Sequence, residues 1–171
     1  MKTNNSILFC FFGNIILQVF ILNQFLFSNW INPYYYIIFI LFLPTRKSSL
    51  CIILSSFFIG LFIDVGIGTL STCGPIHAFS SLCLAYFRPK YLKLISVREN
   101  NLNDLNFSNL NFGRISSYLI FGTISHHFIL FLFSGLSFIN VLISTLISAF
   151  FTILLLIFSY YIFKKWKEIL S

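Results

Sequence analysis

Acidic side chains are nearly missing from this sequence: four Asp+Glu stand against eleven Lys+Arg, and charged residues make up 9% of 171 positions. Soluble globular chains carry roughly 25% charged residues. So few charges cannot supply the mixed-charge surface that keeps a domain in water. That excludes a water-soluble monomer, and the 58% hydrophobic content excludes a disordered tail. Cysteine is scarce too: Cys10, Cys51, Cys73 and Cys83 include no C-x-x-C pair, which argues against a disulfide-stapled module. A Walker A loop, H-E-x-x-H, G-x-S-x-G and every cofactor fingerprint are absent. Neither an enzyme nor a bound cofactor or metal is expected. What abounds is apolar. The 24 Phe are read as compositional bias that faces lipid well rather than as a ligand cage.

The charges divide the chain into blocks. Lys2 to Arg46 encloses 43 uncharged residues, Lys47 to Asp64 encloses 16, Asp64 to Arg88 encloses 23, and Arg114 to Lys164 encloses 49. A helical crossing takes about 20 apolar residues, so the long blocks hold two crossings each and the short ones one each. The expected fold is an all-α membrane bundle of six helices forming a single domain, with spans near residues 7–27, 34–43, 48–65, 76–87, 115–133 and 141–163. Turn chemistry marks the breaks: Asn32-Pro33, the Gly-rich stretch 66–75 and Ser134-Gly135. Spans two and four are short enough to be tilted or re-entrant half-helices. The N-terminal apolar stretch lacks an A-x-A-like cleavage site and reads as a retained span.

Six crossings place all eleven basic residues on one side of the membrane. By the positive-inside rule that side is the cytoplasm, with both chain ends. The largest polar segment, residues 88–114, is then a cytoplasmic loop. Its first half, Arg88 to Arg98, is basic and amphipathic and is expected to lie against anionic headgroups; its second half is Asn-rich. It serves either as a connector or as a docking surface, and nucleic-acid binding does not fit it.

Few polar groups inside the spans demand a reason. Asp64 is the one charged residue there, near the outer interface. It reads as a cap for the Gly-rich turn or as a contact to a partner or ligand. His77 lies at the same level, so an Asp64–His77 pair is possible, though too small for a zinc site or a catalytic triad. His126 and His127, adjacent on the fifth span, point about 100° apart. One is expected to face the bundle and the other lipid or a second protein. An interhelical hydrogen bond is their expected use, and Asn14, Gln18, Gln24 and Asn140 are candidates for the same.

Several short motifs taken in order carry a resemblance. They are Ile31-Asn32-Pro33-Tyr34 running to Leu43-Pro44, Gly60-Leu61-Phe62-Ile63-Asp64, Ile76-His77-Ala78, Ala85-Tyr86-Phe87-Arg88-Pro89, and His126-His127-Phe128-Ile129-Leu130-Phe131. Together with size and span count, they resemble the rod shape-determining MreD family in its Bacteroidetes form. The resemblance implies a bacterial inner-membrane subunit with a fold similar to the substrate-binding subunits of energy-coupling-factor transporters. It implies a non-enzymatic scaffold of cell elongation and lateral peptidoglycan synthesis. Partners would be an MreC-like membrane protein, a RodA-type glycosyltransferase, a class B penicillin-binding protein and, indirectly, MreB. Anionic lipid is expected at the basic loop. Gly60, Asp64, His77, Tyr86, Arg88, Pro89, His126 and His127 would be its structural or partner contacts. A vitamin-type substrate-binding subunit of a transporter is the alternative from another class, with Asp64, His77 and Thr69 as its thin outer-side candidates.

Overall fold

The computed structural model describes residues 2–24, 31–96, 107 and 110–170. No strand occurs among them, and the chain is an all-α membrane protein. Helix α1 (Lys2–Ile16) continues through a π turn (Leu17–Ile21) and a 3₁₀ turn (Leu22–Gln24). Then follow α2 (Ile37–Phe42), α3 (Ser49–Ile67), α4 (Thr69–Thr72), α5 (Ile76–Ile95), α6 (Phe112–Leu132) and α7 (Phe138–Leu170). Local chemistry sets the ends. Ser48 caps α3 by accepting from the Cys51 amide at 3.3 Å, and Asn111 caps α6 by accepting from the Arg114 amide at 3.2 Å. Gly68 closes α3 at φ 84°, a left-handed position that glycine adopts without strain.

Four helices are long and apolar enough to cross a membrane: Asn5–Gln24, Ser49–Ile67, Phe112–Leu132 and Phe138–Ile162. They fall on four of the six expected spans. The other two differ from expectation. The fourth runs past residue 87 as α5, its 20 residues taking in Arg88, Pro89, Lys90 and Lys93. The second is not a helix across residues 34–43: only the six residues of α2 are helical. Pro44 stops it: its ring keeps Leu43 out of the helical region (ψ 140°), and it has no amide to give the Ile40 carbonyl.

Helix α3 packs on α5, α5 on α6, and α6 on α7. The broken segment of residues 32–43 is inserted among them. Tyr36, Ile37, Ile40 and Leu41 are wholly buried, and with Ile59, Ile63, Leu84, Tyr118 and Leu119 they make the centre of the core. Helix α1 stands at the edge, touching this centre through Phe11, whose ring meets Phe39 at 5.4 Å and Phe62 at 6.0 Å.

Non-helical backbone at membrane depth is tolerated only where protein groups replace the missing hydrogen bonds. Here side chains do so at both ends of the segment. Ser148 accepts from the Asn32 amide (3.3 Å), Thr152 from the Tyr34 amide (3.1 Å) and Gln18 from the Tyr36 amide (3.3 Å). Gln18 also donates to the Pro33 carbonyl (3.1 Å). At the other end the Tyr118 hydroxyl donates to the Leu41 carbonyl (2.7 Å), and Arg88 donates to the carbonyls of Leu41 and Leu43. The polar residues inside the apolar helices are there largely to hold this segment. Of the polar candidates read from the sequence for interhelical bonds, Gln18 serves in this way. Asn14 bonds only within α1, to the Cys10 carbonyl, and Gln24 and Asn140 are exposed.

Leu43, Arg88 and Tyr118 meet at one level, so the start of α3, the end of α5 and the start of α6 share one end of the bundle. Phe42 stacks on Tyr160 there, and Ile7 and Leu8 share a cleft with Lys47, which brings the C-terminal part of α7 and the start of α1 to the same end. The basic positions of these helices are therefore gathered on one side.

Candidate functional site

The close crossing of α3 and α5 builds the first part of the site. Gly60 sits where the two backbones touch: a Cβ there would lie 2.5 Å from the His77 carbonyl oxygen and 2.6 Å from the Ala78 Cα. One turn further along α3, Asp64 is fully buried and lies over the start of α5. Its Oδ1 accepts from the His77 amide (3.1 Å), from His77 Nδ1 (2.8 Å) and from the Thr69 hydroxyl (2.7 Å); its Oδ2 accepts from the Ala78 amide (2.9 Å). Asp64 is thus the side-chain cap of α5, contributed by another helix because Pro75, at the cap position, makes no such bond. Both expectations for Asp64 that concern structure meet here: it holds the Gly-rich turn, through Thr69, and it pairs with His77.

The second part lies on α6. His126 and His127 are both fully buried, which corrects the expectation that one would face outward. The two directions 100° apart are both occupied, because α6 is wedged between α5 and α7 with residues 32–43 against it. His126 Nε2 lies 2.8 Å from the Tyr36 hydroxyl and 3.1 Å from Ser80 Oγ. His127 Nδ1 lies 2.9 Å from the Thr123 carbonyl, which can only accept, so that nitrogen carries the proton. Its Nε2 lies 3.1 Å from the Thr152 hydroxyl oxygen, which also accepts from the Tyr34 amide and donates to the Ser148 carbonyl (2.8 Å). The Tyr34 ring stands between the histidines, its centroid 5.2 Å from His77, 5.3 Å from His127 and 6.5 Å from His126. The network leaves His77 Nε2 and His126 Nδ1 without a partner among the described residues.

Arg88 forms the third part and requires another correction. Expected at the head of a surface loop, it is 2% exposed and inside the bundle. Helix α5 continues to Ile95, so Arg88 stays on its buried face, one turn beyond Leu84 and Ala85, and its guanidinium ends the broken segment and meets the Tyr118 hydroxyl at 3.2 Å. Pro89 lies on the exposed side of the same helix, and Tyr86 is 61% exposed. Of the rest of the loop, residues 97–106, 108 and 109, with Asp104 and the Asn run up to Asn109, lie outside the described residues, and Asn111 is the cap of α6.

Compared with known proteins, the chain matches no family model, no curated protein and no solved structure. What it offers chemically is a set of donors and acceptors paired across α3, α5, α6, α7, the continuation of α1 and one broken segment. Among the described residues, no three His, Cys, Asp or Glu side chains converge as a metal site. Tyr36, Tyr118, Ser80, Ser148 and Thr152 were not singled out from the sequence, although all are buried at the heart of the network. One signal was present: Ser144, Ser148 and Thr152 recur every four residues in an otherwise apolar helix, a polar stripe on one face.

Proposed function

We propose that this protein is a non-enzymatic scaffold subunit of the bacterial cell-elongation machinery, of the MreD type, supporting lateral peptidoglycan synthesis and cell shape. One observation supports the reading above others. The stretches that carry the resemblance are far apart in sequence, yet they supply the network: Asn32 to Leu43, Gly60 with Asp64, His77 with Ala78, Arg88, and His126 with His127. A hydrogen-bonded centre of this kind fixes the helices relative to one another, which is what a scaffold needs to present a constant outer face. In this reading the apolar outer faces pack against an MreC-like protein and, with it, a RodA-type glycosyltransferase and its class B penicillin-binding partner, while MreB acts indirectly.

Six passes complete the topology. Residues 32–43 run along α7 from Ser148 to Tyr160, which is about 18 Å at 1.5 Å per helical residue. With α5 they add the two crossings that the four long apolar helices leave over, and the basic end faces the cytoplasm. A reporter joined after Thr72 or Ser137 is then expected outside, and one after Asn101 inside. A cytoplasmic signal at Thr72 removes the six-pass arrangement.

Purification in mild detergent followed by mass spectrometry tests the function. An MreC-like protein should co-purify, and depletion should round rod-shaped cells without altering nutrient uptake. The two unpartnered imidazole nitrogens favour one rival, a transporter subunit that holds a small polar molecule. Recovery of a bound metabolite with an ATPase-linked membrane protein, and unchanged cell shape, would establish that rival instead.

A further inference from the structure

The geometry points to a binding site for the headgroup of an anionic phospholipid in the cleft between α3 and α5 at the basic end. The cleft measures about 260 Å³ and is lined by Ser49, Ile52, Ile53, Ala85, Tyr86, Arg88 and Pro89. Its chemistry is lopsided. Arg88 brings a guanidinium with five N–H donors and no acceptor, and it is 2% exposed in a membrane protein. Among the described residues every group it bonds is neutral: the carbonyls of Leu41 and Leu43 and the hydroxyl of Tyr118. The acidic side chain that the structure does describe, Asp64, is engaged near the opposite end of α5, 11 residues or about 16 Å away. A buried cation held by dipoles alone is costly, and a counter-anion in the cleft relieves it.

Two further features of the cleft match a phospholipid rather than a bare ion. The first turn of α3, beginning at Ser49, adds the positive end of a 19-residue helix dipole and the amides of Ser49 and Leu50, which the Ser48 cap on the Cys51 amide leaves over. On the opposite wall Pro89 has no amide to give the Ala85 carbonyl, which leaves an acceptor for a headgroup hydroxyl beside the phosphate. Ile52 and Ile53 continue the wall towards the membrane interior, where an acyl chain would follow. This site is separate from the expected attraction of lipid to the basic loop, and it does not depend on the scaffold reading.

Native mass spectrometry of the full chain in mild detergent, with phosphatidylglycerol or phosphatidylcholine added, tests it. One phosphatidylglycerol should be retained in preference to phosphatidylcholine. Arg88→Gln is expected to lose it, but this variant also disturbs the backbone that Arg88 holds, so Ser49→Glu is the cleaner probe. It sets a like charge at the mouth, in a helix turn that favours acidic residues. Retention should fall at least about tenfold with thermal stability unchanged. Lys93→Gln, an exposed change at the same end and of the same sign, should leave retention as it was. Equal retention of the two lipids, equal loss in Ser49→Glu and Lys93→Gln, or displacement by inorganic phosphate would each overturn the site.

Discussion

Alanine at position 60 is expected to remove most of the folded protein from the membrane, while alanine at position 13 leaves its amount unchanged or slightly raised. Both glycines lie inside helices, so intrinsic propensity favours alanine at each by up to about 1 kcal/mol. Their surroundings decide the outcome. Around Gly13 nothing lies within 4 Å of an added Cβ. Around Gly60 the nearest atoms, at 2.5, 2.6 and 2.7 Å, are the His77 carbonyl oxygen, the Ala78 Cα and the Ala78 amide nitrogen. Carbon contacts settle near 3.5–4.0 Å, and backbone atoms cannot swing aside as a side chain can. The two helices must part by about 1 Å.

That movement is costly because of what sits one turn away. It draws the His77 and Ala78 amides off Asp64, whose bonds to them are 3.1 and 2.9 Å. Overpacking alone costs about 1–3 kcal/mol, and the strained cap adds to it. Gly60→Val should be worse. Gly122 offers an intermediate case, since an added Cβ there meets the Leu41 Cδ2 at 2.7 Å, the end of a flexible side chain. Accumulation in membranes and thermal aggregation in detergent read the series, expected in the order Gly13→Ala, Gly122→Ala, Gly60→Ala, Gly60→Val. Wild-type behaviour of Gly60→Ala would mean that α3 and α5 do not cross at this point.

The contrast between Gly13 and Gly60 shows what could be read in advance. Block lengths between charges located the four long apolar helices, because hydrophobic thickness constrains length and composition directly. The same logic missed how residues 32–43 are built. A ten-residue apolar stretch looks alike whether it is helical or broken, and what permits the break is Ser148, Thr152, Gln18 and Arg88, which are brought to it by the fold. The Asp64–His77 pair was legible because both residues flank one short turn. The burial of His127 and Arg88 was not, because it depends on which neighbours occupy each side of α6 and how far α5 continues past Pro89. Tertiary partners decide such positions, and a single chain's periodicity does not name them.

Asp64→Ala should destabilise the protein by about 3 kcal/mol, and the reason separates its structural role from a partner role. Four donors lose their acceptor at once: two amides, the His77 ring and the Thr69 hydroxyl. Side-chain hydrogen bonds between membrane helices average only about 0.6 kcal/mol, which alone would make the change mild. The amides of His77 and Ala78 are different, since first-turn amides have no helical partner to fall back on. A lost cap costs about 0.5–2 kcal/mol where water can take its place; for two amides orphaned inside the bundle the cost is instead about 1–3 kcal/mol each. Asp64→Asn keeps one acceptor oxygen and turns an amide group towards a remaining donor, so a loss of about 1–2 kcal/mol is expected. Val65→Ala, at an exposed neighbour, should do almost nothing. Protein amount, melting in detergent and recovery of the proposed MreC-like partner should then fall together in the order Asp64→Ala, Asp64→Asn, Val65→Ala. If Asp64→Ala accumulates and melts normally yet fails to recover the partner, the carboxylate serves the partner and not the helix it caps.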